Sequence, residues 1–304
     1  MTTGGTAICL IQVDDEGKYI LTNEGRDLLS SITSNLHIIC VAGTYRSGKS
    51  SLLNFLVDSN GFSTDSSVQS CTKGIYVYHK TIEYKGKQIL ILDSEGLHSL
   101  DGSKNRDDVI FCLSLLLSSQ LLYNTIGPVN QSALDQLSLI VQLTRKLQKN
   151  SAQPVSAIMP KLVYLSRDFA LDVKDRDGNR QSNYEYFEQS LQPVESDEKG
   201  GNEVRETIRN SFPHRCFEHL IRPTIDEKTL KNVSQLIQTY STDENENENN
   251  TNGLRKEFME QIMLLRTKLY DQVPTKVLND QPLSGSQYVK MVDSYLDAIN
   301  SDGI

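Results

Sequence analysis

Leu36-His37-Ile38-Ile39-Cys40-Val41-Ala42 runs directly into Gly43-Thr44-Tyr45-Arg46-Ser47-Gly48-Lys49-Ser50. The first seven residues form a continuous apolar run, the pattern of a strand covered on both faces, as in a parallel or mixed sheet. The next eight fit G-x-x-x-x-G-K-[ST], and a helix over Lys49–Val57 is predicted to follow. A buried strand, a glycine-rich loop and a helix in that order form the context this motif requires. Its glycines let backbone N–H groups turn inward around phosphates, and the helix N-terminus adds a positive dipole end. Lys49 then brings its charge to the outer phosphates, and the Ser50 hydroxyl is a ligand for Mg²⁺.

The pattern continues outward on both sides. Residues 8–22 read as a hairpin: Ile8-Cys9-Leu10-Ile11 and Tyr19-Ile20-Leu21 around Asp14-Asp15-Glu16-Gly17. Thr22 offers an N-cap for a helix reaching about Ser34. Residues 58–73 are polar and read as a loop, Gly74–Tyr84 alternates as one half-buried strand, and Gln88–Leu92 returns as a buried strand ending at Asp93. A second polar loop over Ser94–Arg106 leads to a helix over 107–118, a short strand near 119–123, a helix over 128–149 and a buried strand over Lys161–Ser166. Beyond it the pattern is mainly helical, with segments over 184–192, 199–212, 254–270 and 286–300. Ser241–Gly253 is an Asn/Glu-rich stretch expected to be a mobile loop. Strands alternating with helices predict an α/β fold, that of a P-loop NTPase, with a mostly parallel central sheet flanked by helices and an extra hairpin and helical insertions.

Three further elements complete a nucleotide site. Asp93-Ser94-Glu95-Gly96 follows a buried strand, so the Asp93 carboxylate reaches the Mg²⁺ shell and the Gly96 N–H reaches a γ-phosphate. Thr72, in the loop between the first helix and the next strand, completes the metal shell only when a γ-phosphate is present, which makes that loop a sensor. Arg167-Asp168 follows the strand at 161–166. A carboxylate there accepts from both N1–H and the 2-amino group of guanine, a donor pair that adenine lacks. The small-GTPase sequence N-K-x-D is absent.

Composition sets outer limits. The 304 residues are 38% hydrophobic and 23% charged, enough for a sizeable core, and the net charge of −8 argues against sequence-independent nucleic-acid binding. The five cysteines, Cys9, Cys40, Cys71, Cys112 and Cys216, are odd in number and widely spaced, as expected for free thiols in a reducing compartment. Neither a signal peptide nor a prenylation Cys is visible, so no membrane anchor within the chain and a cytoplasmic location are expected.

Taken together, these motifs resemble the guanylate-binding proteins, a branch of the dynamin superfamily of large GTPases. The resemblance extends through Val68-Gln69-Ser70-Cys71-Thr72-Lys73-Gly74, Leu122-Tyr123-Asn124-Thr125-Ile126-Gly127, Asp135-Gln136-Leu137 and Ser166-Arg167-Asp168-Phe169, and on to Tyr295–Asn300. It implies GTP binding and hydrolysis to GDP and phosphate and, as in some relatives, on to GMP. It implies Mg²⁺ as cofactor, bound by Ser50, Thr72 and Asp93. The nucleotide set becomes Gly43, Thr44, Tyr45, Arg46, Ser47, Gly48, Lys49, Ser50 and Ser51, with Gly96, Arg167 and Asp168.

Arg46 takes the place of an arginine finger supplied in cis, Ser70 and Glu95 those of residues that align the attacking water, and Lys49 completes the catalytic set. A GTP-dependent homodimer through the nucleotide faces is also implied. The resemblance makes residues 1–304 one large GTPase domain, with 222–253 as a guanine-cap-like segment and 254–304 as closing helices leading toward an absent stalk. The chain departs from the family after Arg222-Pro223, where Thr224-Ile225-Asp226 replace the usual basic residues. The rival reading is a GTP-regulated scaffold with negligible hydrolysis.

Overall fold

A computed structural model describes residues 7–44, 47–63, 74–94, 104–147, 155–174, 178–195, 197, 200–231, 233–236 and 253–302. The chain opens with β1 (Ile8–Val13), β2 (Tyr19–Leu21), α1 (Asn23–Ser30), β3 (Leu36–Gly43) and α2 (Lys49–Val57). Next come β4 (Ile75–Val77), β5 (Ile82–Tyr84), β6 (Lys87–Ser94), α3 (Lys104–Leu117), β7 (Gln120–Ile126), α4 (Gln131–Leu147), α5 (Val155–Ile158) and β8 (Lys161–Arg167). The remainder holds α6 (Asn183–Ser190), α7 (Gly201–Ser211), β9 (Arg215–Leu220), α8 (Glu227–Lys231), α9 (Lys256–Gln272), the short pair β10 (Val277–Leu278) and β11 (Gln281–Pro282), and α10 (Gly285–Asp302).

The main sheet runs β2-β1-β4-β6-β3-β7-β8-β9, with β5 added along β6. Its centre, β6-β3-β7-β8-β9, is parallel throughout, and β2, β1 and β4 form an antiparallel wing. The apolar run of β3 explains its central place. Ile38, Cys40 and Ala42 face one core with Leu29, Phe111, Leu137 and Tyr288. Ile39 and Val41 face the other with Leu52, Phe55, Phe258 and Leu265. Both faces are therefore covered by helices, as a parallel sheet requires.

Three boundaries differ from the sequence expectation. Residues 74–84 form two strands, because β4 and β5 both pair with β6 but two extra residues separate their registers. Helix α1 ends at Ser30, where Gly285 presses on its last turn: an added Cβ would stand 1.8 Å from the Leu29 carbonyl oxygen. Strand β9, absent from the sequence reading, extends the parallel sheet beside β8. The described cysteines, Cys9, Cys40, Cys112 and Cys216, are free thiols; Cys71 lies outside the described residues. Among the described residues no helix is long and apolar enough to cross a membrane.

The C-terminal segment is built into the domain. Lys87 donates to the carbonyls of Tyr270, Asp271 and Val273, tying the end of α9 to the start of β6. Buried Lys276 donates to Leu116 O at 2.6 Å and Ser118 O at 2.9 Å, and Tyr288 Oη donates to Leu117 O. These bonds satisfy carbonyls that the end of α3 leaves without intrahelical partners. Helix α10 then lies along α1 and β2. Arg26 forms a two-pronged pair with Asp293, and the Asn300 carboxamide exchanges two 2.9 Å hydrogen bonds with the Tyr19 backbone.

Candidate functional site

The carboxyl ends of β3, β6, β7 and β8 meet around the start of α2. Gly43 ends β3 at φ 141° beside Asn124 of β7, and an added Cβ would stand 2.2 Å from the Asn124 carbonyl oxygen. Only glycine fits there. Gly48 starts α2 in the left-handed region at φ 75° with no side-chain cap among the described residues. The end of α2 thus faces the loop with its dipole and backbone donors uncovered by any capping side chain, an arrangement suited to an anion.

Lys49 is buried and its Nζ donates to Thr44 O at 3.1 Å, the carbonyl that Ser47 Oγ also reaches at 2.7 Å. Ser50 Oγ donates to Asp93 Oδ2 at 2.6 Å. The β3–β6 register sets this contact by placing Asp93 beside Val41. Asp93 is fully buried in the sheet, and its Oδ1 has no hydrogen-bond partner among the described residues. Burial lifts its pKa to about 6, while the Ser50 hydroxyl and the Lys49 charge pull the other way. A buried, under-coordinated carboxylate oxygen next to a hydroxyl is a set of hard oxygen donors that fits Mg²⁺. That ion commonly takes only one or two protein ligands and completes its shell with water and phosphate.

On the far side of the loop, Arg167 ends β8 and packs under Gly48, its Nη1 donating to Gly48 O at 3.4 Å. Burial lowers its pKa to about 10, with the Asp168 charge opposing. Asp168 itself sits at φ 55°, exposed. It is held there between buried Arg167 and Phe169, whose N–H donates to Leu220 O and whose ring packs on Phe217 and His219. Aspartate is one of the few residues that accept a left-handed backbone readily. The outcome is a carboxylate projecting from a rigid strand end.

The structure therefore brings together Gly43, Thr44, Ser47, Gly48, Lys49, Ser50, Ser51, Asp93, Arg167 and Asp168 on one edge of the sheet. Tyr45, Arg46, Ser70, Thr72, Glu95 and Gly96 lie outside the described residues. The sequence motifs did not single out Asn124. It is fully buried, and its Nδ2 donates to Ser47 O at 2.9 Å and Ser47 Oγ at 2.8 Å. Around the start of α8, Asp226 accepts from Thr229 N and Oγ1, Arg222 pairs with Glu227, and Ile225 is 87% exposed.

Comparison with known proteins bears on what occupies this edge. A model of the guanylate-binding protein N-terminal domain matches residues 16–271. The chain is 32% identical over 310 residues to guanylate-binding protein 1 of Mus musculus, covering 97% of this chain and 50% of that protein. It is 31% identical over 313 residues to guanylate-binding protein 2 of Rattus norvegicus, covering 98% and 50%. It is 32% identical over 311 residues to guanylate-binding protein 7 of Homo sapiens, covering 97% and 46%. The chain spans about half the length of the relatives it matches.

Proposed function

Because this chain belongs to the guanylate-binding protein family, we propose that it binds GTP and hydrolyses it to GDP and phosphate. The observation that carries the reading is the Ser50–Asp93 hydrogen bond at the start of α2, with buried Lys49 alongside. It joins the phosphate loop to a fully buried carboxylate placed to serve a metal there. Mg²⁺, when bound, offsets charge on the β and γ phosphates. Ser50 and Asp93 would hold it, with Thr72 completing the set.

Lys49 swings from Thr44 O to the phosphates, exchanging a neutral acceptor for a charged one, a stronger hydrogen bond. Asp168 receives the N1–H and 2-amino donors of guanine. Arg46 serves as a finger in cis, stabilising charge that develops on the transferring phosphoryl group. Ser70 and Glu95 align the attacking water, and Gly96 N–H contacts the γ-phosphate. Ser51 and the N–H groups of the loop hold the inner phosphates. A homodimer that buries the nucleotide faces orders the finger. Further cleavage to GMP is part of the same proposal, as is residence in the cytoplasm. Residues 222–253 act as the cap over the base and 254–304 as the closing helices of a single domain.

Measuring phosphate, GDP and GMP released across a range of protein concentrations tests these points together. Rising specific activity supports the dimer. Tight GTP binding without product would make the chain a GTP-regulated scaffold instead. For the base, Asp168→Asn should weaken GTP binding and favour xanthosine nucleotides, since a carboxamide donates to the 2-oxo group but clashes with guanine's donor edge. Unchanged GTP affinity by calorimetry would remove Asp168 from the site.

A further inference from the structure

The phosphate loop is tied to the sheet through one residue of β7. Asn124 lies opposite Gly43 in the β3–β7 register and is fully buried. Both hydrogen-bond contacts of its Nδ2 go to Ser47, to the backbone oxygen at 2.9 Å and to Oγ at 2.8 Å. Ser47 Oγ in turn donates to Thr44 O at 2.7 Å, and Thr44 O is the acceptor that holds Lys49 Nζ at 3.1 Å. An unbroken chain of hydrogen bonds thus runs from the core of the sheet, through both ends of the loop, to the lysine ammonium.

The carboxamide's other end gives a second, independent observation. Asn124 Oδ1 is buried and has no hydrogen-bond partner among the described residues. An unpaired buried acceptor is costly, and an apolar side chain at this position would pack without that cost. The carboxamide is therefore explained by what its donors do for the loop rather than by packing.

We propose that Asn124 is a positioning residue for phosphate recognition, fixing the turn at Ser47 and with it the loop from which Lys49 reaches the outer phosphates. The inference rests on the nucleotide-binding reading above and adds a residue that touches neither base nor phosphate. Its effect should scale with phosphate number, because the loop's outer part and Lys49 serve the β and γ phosphates, while the base is held from β8.

Asn124→Leu keeps the approximate size, adds no charge and removes both donors. Calorimetry with GDP and GMP is the test, with melting temperature measured alongside. GDP affinity should fall by roughly 10–100-fold, the loss expected for two buried hydrogen bonds, while GMP affinity stays within about 3-fold. Ser47→Ala, which removes only the Oγ link, should give a smaller loss of the same kind. In its background Asn124→Ala should cost less than it does in the parent, because part of the same link is already gone.

Equal losses for GDP and GMP would make Asn124 a merely structural residue, and unchanged GDP affinity would remove the proposal. If Asn124→Leu does not fold, additive effects of Ser47→Ala and Asn124→Ala would overturn it. A parent that binds ADP as tightly as GDP would instead refute the guanine reading. The diphosphate-to-monophosphate comparison could then still be scored with adenine nucleotides.

Discussion

Two lysines, Lys49 and Lys276, are buried at opposite ends of the parallel strands, 7% and 6% exposed. Lys49 stands at the carboxyl ends, donating to Thr44 O and within the field of Asp93. Lys276 stands at the amino ends, where its two carbonyl acceptors belong to the close of α3 and no carboxylate among the described residues pairs with it. Burial alone therefore does not mark a functional charge. What separates the two is what remains for each cation to do. Lys49 shares its acceptor with Ser47 and faces a loop shaped for an anion, whereas Lys276 closes contacts between permanent parts of the fold. Buried amines of the second kind set geometry at an energetic cost.

The largest effect that would sharpen this contrast belongs to the site end. Arg46→Ala should cut GTP turnover by roughly 10²–10⁵, the range for loss of an arginine finger, while GTP affinity stays within a few-fold. Single-turnover hydrolysis at low and high protein concentration measures it, and an unchanged rate would deny Arg46 that role.

Next is Lys49→Ala, which should weaken GTP binding by roughly 10²–10³-fold because the phosphates lose their charged donor. Its melting temperature should hardly move. A fluorescent GTP analogue bound as tightly as by the parent would erase the difference between the two lysines.

Lys276→Met should behave in the opposite way. Turnover per folded molecule should stay within about 2-fold, while stability falls by about 1–3 kcal/mol because Leu116 O and Ser118 O lose their donor. The comparison would fail if this variant lost activity while keeping its stability.

The smallest effect, and the most diagnostic, is in the pH dependence. Burial lowers the Lys276 pKa to about 7 from an ordinary 10.5. Between those values the unfolded chain holds a proton that the folded chain releases, so this group makes stability rise with pH through that window. The stability gap between parent and Lys276→Met should widen by up to about 1.4 kcal/mol per pH unit above pH 7. Urea melts at pH 7, 8 and 9 would show it, and a gap that stays constant over that range would mean the amine keeps its proton in the fold.

The site end was largely legible in the sequence, and the other end was not. Leu36–Ser50 announces itself because the apolar strand, the two glycines and the helix start are contiguous and each has a local physical cause. Asp93 and Arg167-Asp168 follow, since each closes an apolar strand. Asn124 could be seen only inside a stretch of family resemblance; its partner Ser47 lies far away in sequence, and no local pattern links them. Lys276 sits in Pro274-Thr275-Lys276-Val277, an unremarkable loop sequence until the end of α3 is folded over it. Strand β9 was missed for a related reason. In Arg215–Leu220 only Phe217 and Leu220 are fully buried, a spacing of three rather than two. An edge strand partly covered by α6 and α9 shows no alternation to read.

The exchange between Tyr19 and Asn300 bears on how the chain is made. The hairpin β1–β2 and α1 leave the ribosome well before the helix that covers them, which is synthesised 281 positions later for this pair of residues. At ordinary elongation rates that is a delay of roughly 15–60 s. During it the outer strand β2 and the apolar side of α1 lack their native cover, and β1 must wait for β4 as well. Contacts so distant in sequence slow folding and prolong exposure of an unpaired edge. A nascent chain stalled before Gly285 should therefore expose the side of Leu29 that α10 covers, a surface suited to chaperone capture.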